Sequence, residues 1–259
     1  MSLTTVLLAA GALTVVLLVL LRRRSRQVSL LRERLETSSA ELERLQRSFS
    51  RFAPAEIVER VIARGLSTGD ERKEVTALFA DLVGYTPLAE SLDPAVLLRI
   101  LNGYFERMSR AISDHRGHVS TLVGDGMLAL FGALEPNPWQ ASDAVRAALA
   151  MHHELEEYNQ ELLAEGLPPL SVGVGLHRGT GVAGLVGSKD LLQYAFVGRT
   201  INVASRVQEL TRIHEVNVLV TGEVQESLDS RFALRPLPAA ELRGVAEPVP
   251  IFAVERFEG

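Results

Sequence analysis

The chain has 259 residues, 47% of them hydrophobic and 23% charged, with 20 Gly and 11 Pro. That is one domain of ordinary size plus extensions, which excludes a disordered or collagen-like chain. With no cysteine and a formal net charge of −5, disulfide scaffolds, thiolate zinc sites, iron–sulfur clusters and cysteine nucleophiles are excluded as well.

Residues 3–21, LTTVLLAAGALTVVLLVLL, carry no charge. As a helix of about 28 Å they match the roughly 30 Å hydrocarbon core of a bilayer. Arg22-Arg23-Arg24-Ser25-Arg26 follow, and this positive flank predicts that the rest of the chain is cytoplasmic. The expectation is a single-pass anchor over 1–21 in the inner membrane, in contact with lipid, with no room before it for an extracellular sensor. The alternative is a cleaved signal peptide, but the basic leader is missing and arginines stand where cleavage would occur.

Across 22–53 the positions Val28, Leu31, Leu35, Ser38, Leu42, Leu45, Phe49 and Phe52 alternate steps of three and four. This is the seam of a parallel coiled coil, ended by Pro54. The other reading is an amphipathic helix lying on the anionic inner leaflet. Residues 22–52 hold nine Arg against four Glu, which leaves 18 cationic against 28 acidic residues over 53–259. A globular part that acidic is a poor partner for a nucleic-acid polymer.

Residues 54–70 read as a short apolar helix and a linker, and the globular domain is expected over 71–259. A strand is predicted at about 75–81, a long helix after Pro94, and two short strands around Gly124-Asp125-Gly126. A second long helix at 139–164 and a strand at 170–177 follow. This β-α-β-β-α-β order predicts an α+β, ferredoxin-like split βαβ fold, with helices on one face of an antiparallel sheet. Beyond it come a hairpin-like stretch near 182–198, a helix from about 201 to 213, and short strands.

Asp81 ends the first strand and Asp125 caps the following hairpin, so the fold brings both carboxylates to one edge. Like charges a few ångströms apart repel, and a hard divalent cation relieves them. Gly84 lets the chain after Asp81 curl and turn amides toward an anion. Each aspartate alone is equally a turn or cap residue; the pairing is what points to metal-assisted phosphoryl transfer. Asn202 and Arg206, four apart on one helix face, suit a ribose oxygen and a phosphate gaining charge. His115 and His118 lack the further ligands of a zinc site, and Gly173-Val174-Gly175 lies inside an apolar strand rather than a phosphate loop.

The segments FADLVGYT, LVGDGMLALFG and VGRTINVASR, in this order and spacing, resemble the catalytic domain of class III nucleotide cyclases over about residues 66–259. Residues 51–65 resemble the short transducing helix that precedes such domains. The resemblance implies a homodimer converting ATP, or GTP, to a 3′,5′-cyclic nucleotide and pyrophosphate, with two Mg²⁺ or Mn²⁺ ions per site. It places metal at Asp81, Asp125 and Leu82, and substrate along Phe79, Val83, Gly84, Tyr85 and Thr86. Asn202 would orient the ribose and Arg206 would stabilise the transition state from the opposite subunit.

The chain departs from that pattern at the base and phosphate contacts. Thr121 stands where adenylate cyclases carry an adenine-contacting lysine, and Ala195 where its Asp or Thr partner stands. Val245 replaces a phosphate-contacting lysine, with Arg243 a partial substitute. Lys73 and Lys189 are the only lysines, so no nearby one replaces them. The departures leave the choice of purine open and keep a second reading alive, a nucleotide-binding or dimerising pseudocyclase. A diguanylate cyclase would need a Gly-Gly-Asp/Glu-Glu-Phe turn, where this hairpin reads Gly-Asp-Gly-Met.

Overall fold

The computed structural model describes residues 71–187 and 192–258, all within the unit Arg64–Gly259. The anchor over 1–21, the coil over 22–53 and the helix and linker over 54–70 lie outside the described residues. No helix among the described residues is long and apolar enough to cross a membrane.

The sheet is centred on β1 (Glu71–Leu82). It pairs antiparallel with β3 (Gly126–Phe131) on one side and β4 (Val172–Gly187) on the other. β2 (Gly117–Val123) closes the β3 edge. The strand order is β2-β3-β1-β4-β6-β8-β7, with β5 (Leu192–Val197) attached to the far end of β4. β6 (Val218–Thr221), β7 (Phe232–Ala240) and β8 (Val249–Phe257) extend it. The first four strands keep the predicted split βαβ order. Because β6 runs parallel to β4, the sheet is mixed rather than antiparallel throughout.

From Val75 to Ala80 β1 reads as a near-continuous apolar run, the pattern of a strand covered on both faces. Leu78, Ala80 and Leu82 face a core shared with α2 (Pro94–Asp114) and α3 (Gln140–Ala164). Val75 and Ala77 face the other way, into a cluster with Ala204 of α4 (Arg199–His214). The expectation of helices on one face therefore holds for α2 and α3 and fails for α4. Two short helices, α1 (Tyr85–Ser91) and α5 (Gly222–Gln225), complete the described part.

α2 begins where the Asp93 side chain accepts a hydrogen bond from the Ala95 amide at 2.9 Å, with Pro94 in the first turn. Its inward stripe is Ile100, Tyr104, Met108, Ala111 and Ile112, the spacing of one helix face. α1 was not foreseen. Its sequence YTPLAES has no apolar periodicity, and Gly84, at φ 73°, turns the chain into it.

The glycines of β4 explain why α4 covers the second face. A Cβ on Gly175 would lie 2.2 Å from the Gln208 amide nitrogen and 2.7 Å from the Ala204 carbonyl. Gly173 and Gly179 make room instead for helix side chains, those of Thr211 and Thr200. At Gly175 helix backbone thus rests on strand backbone. Gly175→Ala is expected to cost about 3 kcal/mol, since backbone on both sides must move. Gly124→Ala, with open space but φ 62°, should cost about 1 kcal/mol. Denaturant melts of the two variants test this order.

Candidate active site

β1 carries Asp81 to the end of the sheet on the α4 side, opposite Gly173 of β4. The β2–β3 hairpin turns at Gly124, φ 62°, and delivers Asp125 to the same place. Gly126 makes room for the meeting, because a Cβ there would sit 3.0 Å from Asp81 Oδ1. The two carboxyl groups come within hydrogen-bonding reach of each other, as the fold argument required.

Their closeness alters their chemistry. Burial and the neighbouring Asp125 charge push the Asp81 carboxyl up from 3.8 to about 6, with Glu209 adding to the rise and Arg212 opposing it. The folded protein therefore holds a proton that the unfolded chain has already released between these values. The associated stability is present below about pH 4 and lost as pH climbs through 6. In EDTA, the wild-type melting temperature should fall across that window relative to Asp81→Asn, and added Mn²⁺ should restore it above pH 6 only where Asp81 is present. Parallel melts of the two proteins from pH 4 to 8 test this.

The donors suit a hard cation. Two carboxylates converge beside the Leu82 carbonyl, which faces outward while the Leu82 side chain is buried. That all-oxygen set matches Mg²⁺ or Mn²⁺ and leaves positions for water and phosphate oxygens. No group of three or more His, Asp or Glu side chains capable of holding a metal occurs among the described residues.

Two residues at this edge were not foreseen. Arg212, near the C-terminus of α4, donates from Nη2 to Asp81 Oδ2 at 2.7 Å and to the Leu82 carbonyl at 2.8 Å. A basic residue in a last helical turn ordinarily reads as a complement to the helix dipole, so its sequence position carries no other signal. Tyr104, fully buried on α2, has a hydroxyl without a hydrogen-bond partner. Burial and the charges of Asp81 and Asp125 hold that phenol well above its usual range. In the sequence it is one more residue of an apolar stripe.

The other named positions are dispersed around this edge and along α4. Phe79 is half-buried against the α4-side cluster, and Tyr85 packs on the main core. Thr86 is exposed in the first turn of α1, which has no side-chain cap. Val83 departs from the expectation that the amides after Asp81 face an anion, because its N–H donates to the Ser171 carbonyl at 2.8 Å. Thr121 is half-buried on β2, beside a register shift at Val119/Thr121. Ala195 is half-buried on β5, opposite Gly184.

Asn202 is exposed on α4 and Arg206 half-buried. The Arg206 guanidinium lies beside Gly244, where an added Cβ would be 3.6 Å from Nη1. Gly244, φ 72°, belongs to a tight turn in which the Val245 amide donates to the Leu242 carbonyl at 3.0 Å, with Arg243 exposed between them. Arg206 thus lies near the 242–245 turn, whereas Arg212 reaches Asp81. Along the helix those two arginines are about 9 Å apart.

Comparison with known proteins gives a consistent result. Residues 68–255 match the family described as the adenylate and guanylate cyclase catalytic domain. Adenylate cyclase 1 of Rhizobium meliloti is 34% identical over 209 residues, covering 80% of this chain and 31% of its own length. The adenylate cyclase of Anabaena cylindrica is 32% identical over 232 residues, covering 85% of this chain and 45% of its own length. The chain therefore spans less than half the length of these curated relatives. Among solved structures, the guanylyl cyclase Cya2 superposes with a TM-score of 0.69 at 31% identity, covering 73% of this chain and 95% of that one. The adenylyl cyclase CyaB from P. aeruginosa gives 0.68 at 26%, covering 73% and 97%.

Proposed function

Because the chain belongs to the adenylate and guanylate cyclase catalytic domain family, we propose that it converts ATP to 3′,5′-cyclic AMP and pyrophosphate. The observation that carries this reading is the convergence of Asp81, Asp125 and the Leu82 carbonyl at the end of β1.

In the reaction the ribose 3′-oxygen attacks the α-phosphorus, its proton is released, and pyrophosphate leaves. Mg²⁺ or Mn²⁺ held by Asp81, Asp125 and the Leu82 carbonyl would supply activation of that hydroxyl and neutralisation of the leaving group. Asn202 orients the ribose. Arg206 adds positive charge where the α-phosphoryl oxygens gain negative charge, an interaction strongest in the transition state. Arg206 lies near the turn at Gly244, and Arg243 of that turn offers a second cation for phosphate. A homodimer in which Asp81 and Asp125 of one subunit face Asn202 and Arg206 of the other completes the site. The uncharged run over 3–21, its arginine flank and the heptad spacing over 28–52 support an inner-membrane anchor and a coil that pairs the two domains.

Purine choice rests on Thr121 and Ala195, neither of which offers the lysine or aspartate contact. A base edge left unpartnered costs roughly 1–3 kcal/mol, so discrimination between ATP and GTP should be weak. Purified protein with Mn²⁺ and either nucleotide, read by chromatography of the cyclic product, is expected to form cyclic AMP at a high KM, with a purine preference within about tenfold. No cyclic product from either purine with either metal overturns the reading. Nucleotide binding that persists without turnover would instead establish the pseudocyclase, the reading favoured by the departures at Thr121, Ala195 and Val245.

A further inference from the structure

The acidic edge has an intramolecular cation. A single nitrogen of Arg212, Nη2, bridges Asp81 Oδ2 at 2.7 Å and the Leu82 carbonyl at 2.8 Å. One carboxylate oxygen and one backbone carbonyl, taken together, are two of the three donors that suit a hard divalent ion here. The guanidinium is therefore bonded to the oxygens a metal would need, rather than to a neighbouring surface carboxylate.

The contact is also built to exchange. The Arg212 side chain is 47% exposed and that of Asp81 28%, so water can replace either partner and the pair is worth little on its own. Leu82 and Asp81 are held by β1, whose register is continuous with β4 through Leu82 and with β3 as far as Ala80. Only the arginine has to move. While it stays, it keeps two like-charged carboxyl groups in company that they would otherwise resist.

On the reading that Asp81 is a metal ligand, we propose that Arg212 is a tethered counter-ion, competing with the divalent cation for Asp81 and the Leu82 carbonyl. Metal loading is then an exchange, one guanidinium out for one ion in, and Arg212 is a positioning residue that weakens metal affinity while it keeps the edge assembled.

The test is equilibrium Mn²⁺ binding to the full-length protein without nucleotide, with free Mn²⁺ read by electron paramagnetic resonance. Working in 0.5 M NaCl shortens the screening length to about 4 Å, so general repulsion from a nearby arginine is suppressed and direct competition remains. Arg212→Met should tighten the Mn²⁺ site about three- to tenfold, and Asp81→Asn should abolish it with or without Arg212. An unchanged or weaker site in Arg212→Met, still lost in Asp81→Asn, overturns the exchange and leaves the metal reading standing. A site that survives Asp81→Asn overturns the metal reading and the exchange with it. If the methionine variant fails to fold, Arg212→Gln gives the same comparison.

Discussion

Asp81→Asn is expected to lower cyclic nucleotide formation by a factor of about 10³ or more while leaving the protein folded. The amide has nearly the shape of the acid, and the substitution relieves a carboxyl held at about 6 by burial and by Asp125, so stability should hold or rise. What is lost is an anionic oxygen donor at the edge where two carboxylates and the Leu82 carbonyl converge. Asp125→Asn should produce a comparable loss, since either change leaves a single carboxylate to hold the cation. Initial rates with saturating Mn²⁺ and ATP, set beside a melting curve, separate catalysis from folding. A variant at Asp81 that keeps a tenth of the wild-type rate would remove the acidic edge from the mechanism.

Activity recovered by mixing two dead proteins is the second large effect. Arg206→Ala alone should cost about 10²–10³ in turnover, the usual loss when one preorganised charge facing the transition state is removed. Mixed in equal amounts, Asp81→Asn and Arg206→Ala subunits give half their dimers as heterodimers. Each heterodimer pairs an intact acidic edge with an intact Arg206 at one of its two sites, so about a quarter of wild-type activity should return. Failure to recover activity, with heterodimers demonstrated by differential tagging, would place both residues in the same subunit's site. The geometry favours recovery. Within one chain a different arginine, Arg212, reaches Asp81, while Arg206 stands six residues earlier on α4 beside the turn at Gly244.

How much of this was legible beforehand differed from residue to residue. Asp81 and Asp125 could be placed together because a split βαβ order forces the first strand beside the β2–β3 hairpin, and strand ends are simple to align. The Leu82 carbonyl came with them, since a backbone group follows its strand. α4 on the second sheet face was not legible. The largely apolar run from Val75 to Ala80 in β1 shows that both faces are covered, but it does not say by which element, and the glycines of β4 disclose their purpose only once Gln208 lies 2.2 Å from where a side chain would begin. Arg212 and Tyr104 were missed because each satisfies an ordinary local rule, one as a helix-end cation and the other as a core aromatic. Their importance comes from tertiary neighbours alone. Val83 shows the reverse, a position of the motif whose amide the fold had already assigned to Ser171.

Resting α4 on bare strand backbone also determines how forces pass through the domain. Where Gly175 meets the Gln208 and Ala204 backbone, no side chain stands between helix and strand to slide or compress, so α4 is braced on β4 and carries Arg206 and Arg212 together. In the homodimer proposed above, any tilt of α4 toward the other subunit would therefore move both arginines at once.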